Sequence, residues 1–215
     1  MRGEYFKAQR ATSGEASVDS RKNFFDKHAA SWDERHHRGD EPELDRLVRS
    51  FELCEGDSVL DVGTGTGVLL PLIREAVGPG GKVAAMDFAF RMLEEAKRRS
   101  VPHMKNLVNA SVDAIPFGAS VFDQITCFSS FPHFPNKERA LREMVRVLKA
   151  GGCLSIAHLK SIEEIRQLHR QLGGAVSHDE LPGPEILREW MNRSGLEGVS
   201  LINQPGKFLA RGRKG

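Results

Sequence analysis

The stretch Val59-Leu60-Asp61-Val62-Gly63-Thr64-Gly65-Thr66-Gly67 decides the fold. It is a short apolar run that ends in a glycine-rich turn, and a helical pattern follows it. Open α/β sheets bind their ligands at this point, just beyond the carboxyl ends of the strands. Glycines let the backbone turn sharply and approach a ligand closely, and the next helix offers free N–H groups. The segment therefore predicts a ligand site between a first strand and a helix.

The spacing of the glycines indicates what kind of ligand this site would bind. A dinucleotide-binding turn usually reads GxGxxG, whereas this turn reads GxGxG, with Asp61 two residues before the first glycine. A carboxylate there would repel a pyrophosphate. It suits a ligand that carries a positive amino group and a sulfonium.

Strands and helices alternate outward from this turn. Apolar runs predict strands at residues 58–62, 82–86, 106–109, 121–128 and 153–158, and helical spacing predicts helices at 67–77, 90–99 and 137–148. This alternation is typical of a parallel sheet covered on both faces. Further strands at 198–203 and 207–210 complete the prediction: an α/β, Rossmann-like, three-layer αβα fold with a mostly parallel seven-stranded sheet and a C-terminal antiparallel hairpin.

The regions outside this alternation predict the domain organisation. Residues 1–20 lack periodicity and are expected to be flexible, and residues 21–215 are expected to form a single domain. Lead-in helices, the first capped by Asp19 or Ser20, occupy 21–52. The segment 159–195 is expected to cover the site where a second molecule, the acceptor, would bind beside the ligand. It opens with a capping-box pattern at Ser161 and Glu164. We expect the basic tail, residues 211–215, to be frayed.

Composition limits the setting in which the protein works. Of 215 residues, 40% are hydrophobic and 28% charged, as in an ordinary globular protein. A net charge of +2 is too mild to indicate a nucleic-acid partner. Three widely spaced cysteines indicate reduced thiols, and no apolar run is long enough to span a bilayer. We therefore expect a soluble cytoplasmic protein, monomeric or homodimeric, that does not bind a membrane.

Two further acids stand where strands are predicted to end. Asp87 follows the second strand, where an acid can accept both hydroxyls of a ribose, although a lone Asp after a strand is often only a helix cap. Asp113 follows the third strand and could accept from an adenine amino group, or it could merely stabilise a turn.

Together these motifs resemble those of a known family. The matching segments are residues 59–69, 83–92, 113–127 and 143–157, preceded by Phe24-Phe25-Asp26-x-x-Ala29-x-x-Trp32-Asp33. Over roughly residues 20–160 the chain resembles the class I S-adenosylmethionine-dependent methyltransferases, in the small-molecule branch that includes the quinone-biosynthesis type. The resemblance implies in-line transfer of a methyl group from S-adenosylmethionine to a small-molecule acceptor.

The resemblance also implies roles for individual residues. Those matching the cofactor-binding positions are Asp61, Gly63, Gly65 and Gly67 for the methionine part, Asp87 for the ribose, Phe88, Asp113 and Ala114 for the adenine, and Phe128 beside the sulfonium. The fourth strand ends without the Asp/Asn-Pro-Pro-aromatic motif of enzymes that methylate base amines. A nucleic-acid acceptor is therefore not expected.

Histidines are the candidates for acid–base chemistry, because their pKa lies near neutrality. His133 follows the fourth strand and His158 ends the fifth, so these two are predicted to be catalytic. With His169 and His178, and with Asp179 or Glu180, they are also candidate ligands of a divalent metal, although no tight ligand spacing supports one. The pair His36-His37 reads as a solvated helix end.

Several alternatives remain open at the level of sequence. The chain could be a methyltransferase with a histidine-bound metal or a metal-complex acceptor, a non-catalytic S-adenosylmethionine-binding protein, or a nucleotide-dependent oxidoreductase. The basic cluster of Arg91 and residues 97–99 could serve an RNA or protein acceptor, but it reads more simply as a solvated helix face. The polar segment 159–184 argues against a large apolar acceptor.

Overall fold

A seven-stranded sheet runs through the part of the chain that the computed structural model describes, residues 18–37, 39–99 and 106–215. Its strands are β1 (Ser58–Val62), β2 (Lys82–Asp87), β3 (Leu107–Asn109), β4 (Phe122–Phe128), β5 (Leu148–His158), β6 (Leu196–Gln204) and β7 (Lys207–Lys214). Their order is β3-β2-β1-β4-β5-β7-β6. The first five are parallel, whereas β7 is antiparallel to both β5 and β6. The predicted sheet and its C-terminal hairpin are confirmed.

Helices cover both faces of this sheet. They are α1 (Val18–His28), α2 (Trp32–His36), α3 (Glu41–Arg49), α4 (Leu70–Val77), α5 (Phe90–Arg99), α6 (Lys137–Val147), α7 (Ile162–Leu172) and α8 (Pro184–Arg193). Neighbouring residues of β1 point to opposite faces, as the pleat requires. Leu60 packs in one buried cluster with α6 and α8, and Val59 packs in another with α3 and α4. The result is the three-layer arrangement that the alternation predicted.

The sheet brings the ends of three strands together at one edge. In β1, Asp61 pairs with Thr126 of β4 on one side, and Val62 pairs with Met86 of β2 on the other. The strand order reverses between β1 and β4, so the loops that follow them diverge and leave a crevice.

The C-terminal tail departs from its prediction. Residues 211–214 continue β7, and Arg213 is in register with Cys153 of β5. The Arg211 side chain donates to the Phe51 carbonyl, and Lys214 Nζ donates to the carbonyl of Leu148. The expectation of a frayed end was therefore wrong, because long-range pairing holds these residues.

Smaller differences concern where helices begin. The capping box is confirmed: the Ser161 hydroxyl accepts from the Glu164 N–H, and Glu164 accepts from the Ser161 N–H. Helix α4 begins at Leu70 rather than residue 67, since the glycine turn continues to that point. Helix α1 already includes Val18, so Asp19 lies within its first turn and is not its cap.

Two other expectations meet the limits of the described residues. Residues 1–20 are predicted to be flexible, and the first 17 of them lie outside the described residues. From Val18 the chain is helical. Within the described ranges, no helix has the length and apolar character needed to cross a membrane.

Candidate functional site

The glycine loop after β1 is fastened to the end of β2. The N–H groups of Gly63 and Thr64 both donate to the Met86 carbonyl, at 2.8 and 3.0 Å. Gly63 has φ +69°, and a Cβ there would lie 2.4 Å from Ser130 Cβ. A Cβ on Gly67 would lie 2.9 Å from Leu70 Cδ1. Packing against Ser130 therefore requires glycine at position 63, and positive φ favours glycine at both positions, since φ is +75° at Gly67.

Asp87 lies beside this loop with its carboxylate almost fully buried. Its Oδ2 accepts from the Gly65 N–H at 2.9 Å, and its Oδ1 accepts from the Ala89 N–H at 2.8 Å. Burial raises the pKa of Asp87 to about 6, although the two backbone donors favour its ionised form. A buried carboxylate poised in this way is suited to accept further hydrogen bonds from a ligand.

Asp61 lies behind the loop rather than on the cavity surface. It is buried, and its Oδ1 accepts from the Thr126 hydroxyl at 2.7 Å. Burial raises the pKa of Asp61, while hydrogen bonds to its carboxylate oppose that shift. Any effect of Asp61 on a ligand would therefore pass through the loop or act as a charge at a distance.

A cavity of about 230 Å³ opens at the carboxyl ends of the strands. Of the residues predicted to bind the cofactor, five line it: Gly63, Gly65, Asp87, Phe88 and Phe128. Its aromatic wall comes from the lead-in helices, which contribute Phe24, Phe25 and Trp32. The segment 159–184 adds the apolar side chains Ile165, Leu168 and Leu172. The interior is thus more apolar than that segment alone suggested.

A smaller cavity of about 40 Å³ adjoins the first and shares Gly63, Asp87 and Phe88 with it. Ser111 and Val112 form another part of its wall. The predicted adenine contacts Asp113 and Ala114 come next in the chain, in a short 3-10 turn, and do not line either cavity. Asp113 Oδ1 is nevertheless buried and has no hydrogen-bond partner among the described residues.

The lead-in helices are anchored to the site by two aspartates. Asp26 of α1 accepts from the Arg91 N–H at the start of α5, at 2.8 Å. Asp33 of α2 accepts from the Thr66 hydroxyl of the glycine loop at 2.5 Å and forms an ion pair with Arg99. These contacts explain physically why aspartates stand in the lead-in pattern, and they place the aromatic side chains over the cavity.

The predicted catalytic histidines both line the larger cavity. His133 Nδ1 lies 2.8 Å from Asp179 Oδ2. His158 is buried, and its Nε2 has no partner among the described residues. Burial lowers the pKa of His158 to about 3, and the positive charges that His133 and His169 can carry lower it further. His158 is therefore a neutral imidazole at physiological pH.

The remaining metal candidates do not converge. His169 lines the cavity, and its Nδ1 hydrogen-bonds the Asp179 carbonyl, but His178 is exposed and lies outside the lining. Across the described ranges, no group of three or more His, Cys, Asp or Glu side chains could hold a metal ion. The metal hypothesis therefore gains no support from the geometry.

The prediction that His36 and His37 form a solvated helix end is wrong. Both line the cavity and are partly buried, because α2 folds back over the strand ends. Burial lowers the pKa of His36 to about 4, and the neighbouring charges of His37 and Lys160 act in the same direction. They are polar groups of the cavity wall and not a solvated helix end.

Sequence reasoning missed two other features of the site. Arg21 of α1 forms a buried ion pair with Asp179, which the sequence offered only as a metal ligand. Ser129, at the end of β4, lines the cavity with φ +51°, a conformation that L residues rarely adopt. No local motif signals either feature, because both depend on contacts between distant segments.

The strand order, the glycine loop and the buried acid at the end of β2 define a class I S-adenosylmethionine-dependent methyltransferase. A methyltransferase domain family matches residues 60–156. The chain is 31% identical over 198 residues to a ubiquinone/menaquinone biosynthesis C-methyltransferase of Pectobacterium atrosepticum, covering 78% of this chain and 79% of that one. Within the class, the chain therefore belongs to the quinone-biosynthesis type of these methyltransferases.

A further relative and two solved structures are also similar to this chain. A demethylmenaquinone methyltransferase of Staphylococcus aureus is 37% identical over 109 residues, covering 50% of this chain and 45% of that one. An S-adenosylmethionine-dependent methyltransferase structure from Thermotoga maritima has the same fold, with TM-score 0.72 and 20% identity over 90% of this chain and 99% of that one. A structure of an S-adenosylmethionine-dependent methyltransferase from Aquifex aeolicus has a TM-score of 0.60 and 26% identity. The match covers 79% of this chain and 87% of that one.

Proposed function

We propose that this chain methylates a ring carbon of a quinol, taking the methyl group from S-adenosylmethionine. The observation that carries the proposal is one cavity into which both Asp87 with its glycine loop and His133 open. The aromatic wall suits a flat ring, and the relatives named above are C-methyltransferases of quinone biosynthesis and a demethylmenaquinone methyltransferase. The acceptor would lose one proton and gain one methyl group.

The residues present fit the cofactor. We assign its methionine part to Asp61, Gly63, Gly65 and Gly67, its ribose to Asp87, its adenine to Phe88, Asp113 and Ala114, and its sulfonium region to Phe128. Asp113 Oδ1 has no hydrogen-bond partner among the described residues and could accept from an amino group, although Asp113 and Ala114 line neither cavity in this structure. When bound, the cofactor supplies a methyl group already activated by the sulfonium.

The two histidines would have different tasks. A general base works best when its pKa lies near the working pH, and His158, with its pKa near 3, is too weak a base for that task. We therefore assign proton removal from an acceptor hydroxyl to His133. His158 would act as a neutral hydrogen-bonding partner, which its unpaired Nε2 permits. The aromatic side chains of α1 would exclude water from the reacting groups.

The same proposal extends to the domain organisation, cellular location and assembly of the protein. Residues 21–215 would act as one domain, with 21–52 and 159–195 covering the acceptor. All three cysteines are free, which suits a reducing cytoplasm. The acceptor would be a small molecule rather than a nucleic acid, and the protein a monomer or homodimer.

The proposal is tested by incubating the protein with methyl-labelled S-adenosylmethionine and the reduced form of demethylmenaquinone. We expect label on a ring carbon of the product. His133→Ala and His158→Ala should spare cofactor affinity and lower turnover, His133→Ala by roughly a hundredfold or more. Full turnover in both variants would contradict the catalytic assignment. Absence of label on any quinol would contradict the acceptor.

A further inference from the structure

Three side chains from distant parts of the chain meet beside the cavity. Arg21 lies on α1, His133 lies after β4, and Asp179 lies in the loop before α8. Arg21 Nη2 is 2.6 Å and its Nε 3.0 Å from Asp179 Oδ1, while His133 Nδ1 is 2.8 Å from Asp179 Oδ2. Only 11%, 10% and 2% of the Arg21, His133 and Asp179 side chains are exposed. This Arg21–Asp179–His133 network is therefore largely shielded from water.

The carboxylate in this network is ionised at any physiological pH. Burial opposes ionisation of Asp179, but hydrogen bonds from His133 and Arg21 outweigh burial and hold its pKa at about 2. An ionised carboxylate can only accept hydrogen bonds, so the hydrogen between it and the imidazole resides on Nδ1. In a neutral ring, Nε2 is then the nitrogen with a free lone pair.

Neighbouring rings fix the plane of the His133 imidazole. The Phe25 ring meets it edge-on at 5.0 Å between centroids, and the His169 ring lies 4.9 Å away. His169 in turn hydrogen-bonds the backbone carbonyl of Asp179 through its Nδ1. The same loop residue thus holds both imidazoles, one through its side chain and one through its backbone.

Charged and titratable groups approach His133 from several elements. Arg21 of α1 and Asp179 of the loop before α8 form its network, and the His169 ring of α7 packs beside it. Asp87 of β2, His158 of β5 and Lys160 line the same cavity as His133. Burial lowers the pKa of His158 to about 3. Burial also lowers the pKa of His169, while Asp179 and Glu180 oppose that shift. The positive charge of Arg21 balances the negative charge of Asp179.

We infer that Asp179 is a positioning residue for His133. It holds the imidazole as the Nδ1–H tautomer, so that Nε2 is directed to take a proton from the acceptor. Arg21 fixes the Asp179 carboxylate and thereby holds α1 over the site. The inference rests on the proposed function, in which His133 is the base. It assigns a task to the loop before α8 and to the first helix, both remote in sequence from the glycine loop.

The first test needs no acceptor. Long-range nitrogen–proton NMR spectra of histidine-labelled protein distinguish a protonated Nδ1 from a protonated Nε2, and His133→Gln identifies the His133 signals by their loss. We expect a protonated Nδ1 in the unaltered protein and a mixture of tautomers in Asp179→Asn. A hydrogen on Nε2 of His133 in the unaltered protein would overturn the inference whether or not Asp179→Asn folds.

The second test measures kcat/KM against pH with reduced demethylmenaquinone. Asp179→Asn should lower kcat by roughly a hundredfold while its affinity for S-adenosylmethionine stays unchanged. The acidic limb of its pH profile should move to lower pH, because the ring has lost a neighbouring anion and faces an uncompensated Arg21. The control is Glu197→Gln, which alters an exposed acid at the start of β6 that lines neither cavity, and it should leave rate and profile unchanged.

The outcomes separate the two claims. If His133→Gln is inactive but Asp179→Asn keeps the rate and pH profile of the unaltered enzyme, the proposed function stands and the inference is wrong. If His133→Gln retains full turnover, His133 is not the base, and the inference falls with that assignment.

Discussion

A carboxyl group with its pKa raised to about 6 stands at the end of β2, whereas an exposed aspartate titrates near 3.9. The raised pKa means that Asp87 is largely ionised above about pH 7 and largely protonated below about pH 5. Ribose hydroxyls donate hydrogen bonds, so they would bind the ionised form. If Asp87 holds the ribose, as proposed, cofactor binding would be coupled to one proton at this residue.

From this coupling we predict that affinity for S-adenosylmethionine falls as the pH is lowered through about 6 and levels off above it. Asp87→Asn should weaken binding at about pH 8 by roughly 1–3 kcal/mol, since charge-assisted hydrogen bonds are lost. It should also abolish the pH dependence. Calorimetric titrations at pH values on both sides of about 6 test both statements. An Asp87→Asn variant with unaltered affinity would contradict the assignment of the ribose to Asp87.

Two glycines of the loop allow a matched comparison. Both have positive φ, but a Cβ on Gly63 would lie 2.4 Å from Ser130 Cβ, whereas a Cβ on Gly65 meets nothing within 4 Å. Gly65→Ala should therefore cost only the backbone strain, about 1–2 kcal/mol, and Gly63→Ala should cost clearly more. Chemical denaturation of both variants measures the difference. Equal losses would mean that the loop and Ser130 are not in close contact.

At the scale of elements, the start of α7 links the segment 159–195 to the C-terminal hairpin. Glu164 Oε2 accepts from the Ser161 N–H at 2.6 Å and also from the Gly206 N–H in the turn between β6 and β7, at 2.9 Å. The helix that carries His169 is thus held at its first turn by both its own cap and the hairpin.

Ser161→Ala is expected to lower the free energy of unfolding by about 1 kcal/mol, because the Glu164 N–H loses its cap. Ser200→Ala, an exposed serine of β6, serves as the control and should change stability by less than about 0.5 kcal/mol. Urea unfolding followed by circular dichroism compares them. A Ser161→Ala variant as stable as the control would show that the capping box contributes nothing.

The same elements show what sequence can predict. The capping box was predictable because Ser161 and Glu164 are three residues apart and interact locally. The length of β7 was not, since Arg213 is held by its register with Cys153, 60 residues away in sequence. Similarly, His36 looked solvated because only the folding of α2 over the strand ends buries it.

At the scale of the whole molecule, the cavity lies where the strand order reverses between β1 and β4. Alternating strands and helices were sufficient to predict that crevice, with Gly63, Gly65 and Asp87 lining it. The side of the cavity at His133 was less predictable, because α1, the loop after β4 and the loop before α8 meet there only in the fold. Arg21 and Asp179 are 158 positions apart, and no periodicity or motif relates them.

The central claim is that this chain binds S-adenosylmethionine on the loop after β1 and Asp87. The most direct measurement is calorimetric titration of the purified protein with S-adenosylmethionine and with its demethylated product, and with NAD as the comparison ligand. We predict micromolar binding of the first two and no heat with NAD. Binding of NAD, or no binding of S-adenosylmethionine and its product, would contradict the account.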